Sequence, residues 1–238
     1  MEPGDAAPDW GTHYWAGGTV ERERQHAASA PTVVVRAVCA DCNGHWMAAI
    51  EGRARPVLEA MIRGRRVSLD IHQQLDVAAW ASKTIAALEF HEPSTVVTRQ
   101  EDRDLIRREL RPPHHHRVRL AHRSEVGESL IAKMLVARSA TAPDDRPDAF
   151  VTTLGIGFLV VQVWGGHGSD TGEGLTRTGT SASRAVMVWP PVMGTVSWPP
   201  AMPVEEEDLD AFTREVIIWA DDSPDLAAWR SRRQLPDP

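Results

Sequence analysis

The chain has 238 residues, of which 42% are hydrophobic and 25% charged, and its formal net charge is −7. This length is enough to bury a hydrophobic core as one large domain or two small ones. The sequence contains no run of about 18 or more apolar residues, which argues against a membrane-spanning helix. The acidic balance argues against a protein that coats nucleic acid, although a local basic patch can still bind it.

The first segment, residues 1–31, has little apolar periodicity and is rich in Gly, Pro and Ala. It predicts mostly loop, as a poorly ordered N-terminal arm. Its acidic, polar start lacks the pattern of a signal peptide. Because the only two cysteines form a C-x-x-C and no export signal accompanies them, we expect a cytoplasmic protein.

The next segment contains those cysteines. Thr32–Val38 is β-branched and predicts a strand, and a short turn over Cys39–Cys42 follows it. Helical apolar spacing then begins, with Asn43 as the expected N-cap. A break just before Pro56 and a second short helix that stops at Gly64 complete the prediction.

Two further helices are predicted. Val67–Glu89 has a stripe of apolar residues at spacings of three and four, and Asp70 with Gln73 forms a plausible capping box. Residues 99–111 are strongly charged and predict a surface helix, which Pro112 and Pro113 end. The region from residue 32 to 111 is therefore mainly helical.

Residues 112–238 predict a β-rich region, either continuous with residues 32–111 or separate from them. Val118 and Leu120 alternate with Arg117 and Arg119, which are interpreted as surface residues. The strongest strand signal is 150–164, followed by 185–189, and residues 205–219 predict a C-terminal helix with an acidic first turn. The overall expectation is an α+β fold.

The C-x-x-C is open to three interpretations. Cys39 and Cys42 can supply half of a zinc site, with His45 three residues further on and His13 or His26 upstream as the remaining ligands. They can also be free, half-buried thiols. A redox pair is the third possibility, although it requires a βαβ context that this segment hardly shows.

Two histidine- or glycine-rich segments carry weaker signals. In a strand, only two of His114, His115 and His116 would point the same way, so a metal site is possible there, but a loop after the two prolines is the simpler interpretation. The segment GGHGSDTGEG, residues 165–174, lacks the phosphate-binding spacings of a dinucleotide fold or a P-loop. We therefore expect no nucleotide cofactor.

The segment from residue 38 to 62 resembles the C-terminal part of an HNH endonuclease-like ββα-metal module. The matching residues are Val38, Cys39, Cys42, Asn43, Trp46, Met47, Ile50, Glu51, Pro56, Val57, Leu58 and Ile62. The resemblance implies a partial ββα zinc-knuckle module with helices, followed by the β-rich region and its C-terminal helix.

The resemblance also implies roles for individual residues. Cys39 and Cys42 would be the second of two zinc-binding pairs, with structural Zn²⁺, and Asn43 would be the asparagine of the catalytic set, with Mg²⁺ or another divalent cation. No first C-x-x-C precedes them, and Asp5 stands where the general-base histidine belongs, so His13 is the candidate substitute. Either the chain begins inside a longer gene or the module has decayed.

The expected function is that of an HNH endonuclease-like protein that binds DNA, as a truncated or degenerate metal-dependent phosphodiesterase. Arginines around the module are its candidate phosphate contacts: Arg53, Arg55, Arg63, Arg65 and Arg66. The alternative is a non-catalytic structural or partner-binding protein with packed cysteines. Neither interpretation involves a membrane.

Overall fold

A computed structural model gives the structure of this chain. It describes residues 9–16, 19–27, 38–91, 96–137, 149–167, 184–209 and 211–213, with 9–16, 19–27, 91, 127–137 and 206 described by their backbone alone. These residues form both helices and strands, which confirms the α+β class. No helix among them is long and apolar enough to cross a membrane.

One sheet is built around β4 (Arg117–Ala137). β5 (Ala149–Gly166) runs antiparallel beside it along both halves of β4. On the opposite edge of β4, β6 (Ala185–Trp189) pairs antiparallel with the first half, and β1 (Asp9–Ala16) pairs parallel with the second half. β2 (Thr19–Ala27) lies outermost, antiparallel to β1.

The hairpin of β1 and β2 corrects the prediction that residues 1–31 are mostly loop. β2 has the sequence TVERERQHA and lies at the edge of the sheet. Edge strands often carry charged residues, which hinder pairing with other chains. A strand of this kind lacks the apolar alternation from which strands are predicted. The predicted strand Thr32–Val38 lies outside the described residues, apart from Val38.

A continuous helical segment begins after Cys39 and comprises α1 (Ala40–Cys42), a π-helical turn (Asn43–Met47) and α2 (Ala48–Ile62). Cys39 is its N-cap, because the Cys39 sulfur accepts a hydrogen bond from the Cys42 N–H at 3.3 Å. The predictions of a turn over Cys39–Cys42 and of an N-cap at Asn43 are therefore wrong. The helix begins at Ala40, three residues before Asn43.

Pro56 lies inside α2, where the sequence predicted a break between two helices. Proline removes the hydrogen bond to the carbonyl four residues earlier, which belongs to Gly52. Both Gly52 and Pro56 are exposed, so the missing bond lies on the solvent side of the helix. The predicted stop is confirmed: Gly64 has φ +72 and donates its N–H to the Met61 carbonyl.

α3 (Ile71–Leu88) begins at Asp70, and the predicted capping box is confirmed. The Gln73 N–H donates to the Asp70 carboxylate at 2.8 Å, and the Asp70 N–H donates to the Gln73 side-chain oxygen at 3.0 Å. The predicted helix start at Val67 is wrong, because β3 (Val67–Leu69) pairs antiparallel with β7 (Val196–Trp198). Tertiary strand pairing outweighs the local helical pattern here.

Both faces of the sheet are covered around β4 and β5. The α2 and α3 side forms the main core with residues such as Val77, Ala78, Ile85, Val118, Leu120 and Val161. On the other face lies a smaller core that includes Val160, Val204 and Phe212. Of the predicted C-terminal helix, the described part contains a 3₁₀ turn (Glu206–Asp208) and residues 211–213.

Arg119 is buried on this second face, which corrects its interpretation as a surface residue. Its side chain is 3% exposed and donates to the Gln162 side chain at 2.7 Å and to the Phe212 carbonyl at 3.2 Å. The guanidinium also lies 4.1 Å from the centre of the Phe212 ring. The alternation of β4 places Arg119 on the face opposite α2 and α3. The chain after β7 covers this face and buries Arg119 there.

Replacing Gly157 by alanine tests the contact between β5 and α2. Gly157 has φ +55, and a Cβ there would lie 2.5 Å from the Ile62 carbonyl oxygen. We expect Gly157→Ala to lower the free energy of unfolding, measured in urea by circular dichroism, by about 2 kcal/mol or more. Gly52→Ala is the control, since nothing lies within 4 Å of that position. It should raise stability by about 0.5–1 kcal/mol, and equal effects of the two substitutions would contradict the described packing.

Candidate metal centre

Asp102 is placed by the helix α4 (Gln100–Glu109), which confirms the predicted helix. Asp102 and Ile106 are four residues apart, so they lie on one face of α4, and both are buried there. The helix ends at Leu110, which adopts the left-handed conformation with φ 51. A buried Asp in the first turn was not predicted from this charged sequence.

His115 and His167 meet because β4 and β5 are antiparallel. His115 lies in the turn just before β4, and His167 directly follows β5. Arg117, at the start of β4, is paired with Trp164 near the end of β5. The two histidines are therefore brought to the same end of the strand pair, beside the first turn of α4.

The three side chains converge closely. The Asp102 Oδ2 atom lies 3.0 Å from Nε2 of His167 and 3.5 Å from Nε2 of His115. One ligand atom from each residue lies within 4.8 Å of the other two. Neighbouring ligands of a tetrahedral Zn²⁺ ion, bound at about 2.0–2.2 Å, lie about 3.3–3.6 Å apart. The separation of 3.5 Å between Asp102 and His115 falls in this range, and the separation of 3.0 Å between Asp102 and His167 is shorter than it.

None of these three atoms has a hydrogen-bond partner within the described part of the chain. Asp102 Oδ2, His115 Nε2 and His167 Nε2 are all buried, and none of them forms a well-aligned hydrogen bond with a described residue. Asp102 and His167 still attract each other at 3.0 Å, which lowers the pKa of Asp102. A buried polar atom without a partner costs about 1–3 kcal/mol, so such atoms are rare in native proteins. Three of them directed at one point fit a cation, which would satisfy all three.

The charge state of the residues suits a cation. Burial lowers the pKa of His115 to about 4, against the opposing effect of Asp102, so the imidazole is neutral at pH 7 and has a lone pair to give. Burial alone would raise the pKa of Asp102, but His167 and His115 outweigh it and keep the pKa below its ordinary value. The carboxylate is therefore ionised. Two imidazoles and one carboxylate are ordinary ligands of Zn²⁺ and of other transition metals.

The surrounding residues fix the turn that carries His115. Arg117 donates to the carbonyls of His114 at 2.7 Å and His116 at 2.8 Å. His116 is 1% exposed, and its Nδ1 lies 3.2 Å from the Ser82 hydroxyl on α3. Burial lowers the pKa of His116 to about 3, so it is neutral as well. The turn is thus held from both sides, as the supporting shell of a metal site requires.

A buried carboxylate holds the start of α4. Glu89, which is 1% exposed, accepts hydrogen bonds from the Thr98 N–H at 3.0 Å and from the Thr98 hydroxyl at 2.9 Å. Arg103, next to Asp102, lies 3.4 Å from the same carboxylate. Burial raises the pKa of Glu89 to about 7, although Thr98 and Arg103 act to lower it. This contact links the end of α3 to the helix that carries Asp102.

The predicted zinc ligands Cys39, Cys42 and His45 are not brought together. Both thiols are free; Cys39 is exposed, and a hydrogen bond from the Cys42 N–H lowers the pKa of Cys39. His45 turns to Asp41, whose carbonyl oxygen lies 2.9 Å from His45 Nδ1. Cys39 and His45 are six residues apart in the sequence. With 3.6 residues per turn, this spacing places them about 120° apart around a helix. In the ranges that the structure describes, Asp102, His115 and His167 form the one group of three or more such ligands.

The predicted catalytic and phosphate-binding residues lie elsewhere. Asn43 is exposed in the π-helical turn, and the side chain of His13, on β1, is outside the description. Arg53 contacts Asp76 at 3.1 Å and the Leu110 carbonyl at 3.2 Å, so it ties α2 to its neighbours. The other four arginines are exposed and have no ion pair with any described residue: Arg55, Arg63, Arg65 and Arg66.

Sequence reasoning missed two of the three converging residues. Asp102 is one acid among many in its helix, and His167 lies in a glycine-rich segment that was examined only for nucleotide binding. The histidine triplet was noted, and its loop conformation is confirmed. The signal that remained was a histidine three residues after the strongest predicted strand, 150–164. Comparisons of the chain with protein-family models, curated proteins and solved structures found no match.

Zinc titration tests the centre. We expect the chain to bind one Zn²⁺ with a dependence on all three residues, so that Asp102→Asn, His115→Ala and His167→Ala each weaken binding, measured by isothermal titration calorimetry, by about 100-fold or more. His114→Ala is the matched control, because His114 is the exposed neighbour in the same turn. Zinc binding that is lost in Cys39→Ser but survives His115→Ala would contradict this centre.

Glu89 should make stability depend on pH. Its pKa of about 7 in the folded chain is raised from an ordinary value of 4.5. The Glu89 contribution is therefore fully present below pH 4.5 and is lost as the pH rises through 7, at a cost of about 3 kcal/mol. Urea unfolding at pH 5 and pH 8 should show a smaller difference in Glu89→Gln than in the parent. Glu101→Gln, an exposed acid of α4, should leave the difference unchanged, and an unaltered difference in Glu89→Gln would refute the effect.

Proposed function

We propose that this chain is a divalent-metal-dependent hydrolase of phosphodiester bonds in nucleic acid, with the metal held by Asp102, His115 and His167. The observation that carries the proposal is the convergence of three buried ligand atoms without hydrogen-bond partners among the described residues. Structural zinc sites normally have four protein ligands, whereas hydrolytic sites have three and leave a position for water.

The chemistry follows from this ligand set. A bound divalent cation lowers the pKa of a coordinated water molecule and polarises a phosphoryl oxygen. The Asp102 carboxylate supplies negative charge to hold the cation, and the two imidazoles supply neutral nitrogen ligands. Arg117 keeps the His115 turn in place through the carbonyls of His114 and His116. Zn²⁺ and Mn²⁺ suit this mixed nitrogen and oxygen set better than Mg²⁺ does.

The substrate class is supported by the resemblance of residues 38–62 to an HNH-like module. The hairpin of β1 and β2 precedes the helical segment that begins after Cys39, and this is the element order of a ββα module. The resemblance also gives Asn43 as a catalytic residue and Cys39 and Cys42 as zinc ligands. His13 is the substitute for the missing general-base histidine, and His45 is a zinc candidate by its spacing from Cys42. These assignments stay predictions, since no described contact joins Asn43 to the Asp–His–His centre.

The exposed arginines favour a polymeric substrate. Gly64 lies against Phe158 of β5, so Arg63, Arg65 and Arg66 are placed near that residue. His167 follows the end of β5, nine residues after Phe158. At about 3.3 Å per residue, His167 lies up to about 30 Å from Phe158. A single phosphodiester cannot reach both places. A nucleic acid of about ten base pairs can, since phosphates recur along its whole length.

Two substrates separate the roles of these residues. With Mn²⁺ or Zn²⁺, we expect the chain to nick supercoiled plasmid DNA and to hydrolyse bis(p-nitrophenyl) phosphate, and His115→Ala to abolish both activities. The triple variant Arg63→Gln, Arg65→Gln, Arg66→Gln should reduce DNA nicking by about tenfold or more, because each phosphate contact adds salt-dependent affinity. It should leave hydrolysis of the small diester unchanged.

Two further variants complete the test. His114→Ala is the control and should keep both activities. Asn43→Ala should lose activity only if the HNH-like module contributes a catalytic asparagine. Metal binding without hydrolysis of either substrate would refute the hydrolase proposal. It would favour the alternative function, a non-catalytic protein that binds partners and is stabilised by its metal.

A further inference from the structure

A second site lies on the side of α4 that faces away from Asp102. It is a cavity of about 320 Å³ between the helical segment after Cys39, α3 and α4. Its apolar lining includes Trp46, Met47, Ala87 and Phe90. This volume is at the lower end of small-molecule sites, which are mostly apolar with a few placed polar groups.

Cationic side chains line part of the same cavity. Lys83 lies 2.5 Å from Glu51, and Arg103 lies 3.4 Å from Glu89, so both of these charges are paired. Arg107 is exposed, lines the cavity and forms no ion pair with a described residue. Asp104 also lines the cavity and accepts a hydrogen bond from Gln100 at 3.0 Å. A ligand can therefore bind Arg107 without breaking an ion pair between described residues, whereas Lys83 and Arg103 would each have to leave a glutamate.

The two cysteines also line the cavity. Cys39 is exposed and Cys42 is half-buried, and both residues border the same space as Trp46 and Phe90. The reactivity of the Cys39 thiol can therefore report whether a ligand occupies the cavity.

We infer that this cavity binds a small aromatic anion, with its ring against Trp46, Met47 and Phe90 and its carboxylate, sulfonate or phosphate group on Arg107. The apolar lining suits the ring, and the unpaired guanidinium of Arg107 suits the anionic group. The site is separate from the metal centre. Gln100, Arg103, Asp104 and Arg107 follow the spacing of one helical face, and Ile106 borders the cavity at the edge of that face. Asp102 does not line the cavity.

The probe that tests this inference is 8-anilinonaphthalene-1-sulfonate, an aromatic sulfonate whose fluorescence rises in apolar sites. We expect saturable binding that Arg107→Gln weakens by about tenfold, the typical loss for a hydrogen bond to a charged group. The uncharged analogue N-phenyl-1-naphthylamine should bind the parent and Arg107→Gln equally. Arg108→Gln is the matched control on the same helix, since Arg108 is exposed and does not line the cavity.

Two further measurements locate the probe. Ala87→Trp fills the cavity and should abolish binding, whereas Ala49→Trp, at an exposed position of α2 outside the cavity, should not. Bound probe should also slow the reaction of Cys39 with 5,5′-dithiobis(2-nitrobenzoic acid), measured in Cys42→Ser, by at least fivefold. Equal affinity in Arg107→Gln, binding that survives Ala87→Trp, or unprotected Cys39 would overturn the inference. Asp102→Asn should retain probe binding, which separates this result from the fate of the metal centre.

Discussion

The antiparallel pairing of β4 with β5 determines where the other parts of the structure lie. Because the two strands run in opposite directions, the turn before β4 and the residue after β5 come to the same end of the sheet. His115 and His167 therefore meet, although 51 residues separate them in the numbering of the chain. The same strands support α2 and α3 on one face and the segment around Phe212 on the other. The pairing of β4 with β5 thus sets the positions of two of the three candidate metal ligands.

Among the described residues, the centre contains three buried polar atoms that meet no hydrogen-bond partner, which has an energetic cost. Three buried polar atoms without partners cost several kcal/mol together, at about 1–3 kcal/mol each. That is a large share of the net stability of an ordinary domain, about 5–15 kcal/mol. A bound cation satisfies all three atoms at once and stabilises the folded state by mass action. The contacts of Arg117 and Ser82 hold the histidine turn in a geometry that a cation can use.

Much of the fold was accessible from the sequence because local rules determine it. The Asp70–Gln73 capping box, the glycine stop at Gly64 and the β-branched strand β5 each depend on residues close together in the chain. One error came from a tertiary effect, since β3 pairs with a strand more than a hundred residues away. Another was local: Cys39, which is not a preferred N-cap residue, replaces Asn43 as the cap. The Asp–His–His centre was not predictable in this way, since its ligands come from a helix, a turn and a strand end. The C-x-x-C, in contrast, is recognisable from the sequence because its two cysteines lie only three positions apart.

The most direct test of the account is X-ray absorption spectroscopy at the zinc edge on the chain loaded with one equivalent of Zn²⁺. A metal at the Asp102–His115–His167 centre should have only nitrogen and oxygen ligands at about 2.0–2.1 Å, with the multiple-scattering pattern of two imidazoles. The spectrum should be the same in the double variant Cys39→Ser, Cys42→Ser. Sulfur ligands at about 2.3 Å that vanish in the double variant would place the metal at the cysteines and contradict the Asp102–His115–His167 centre.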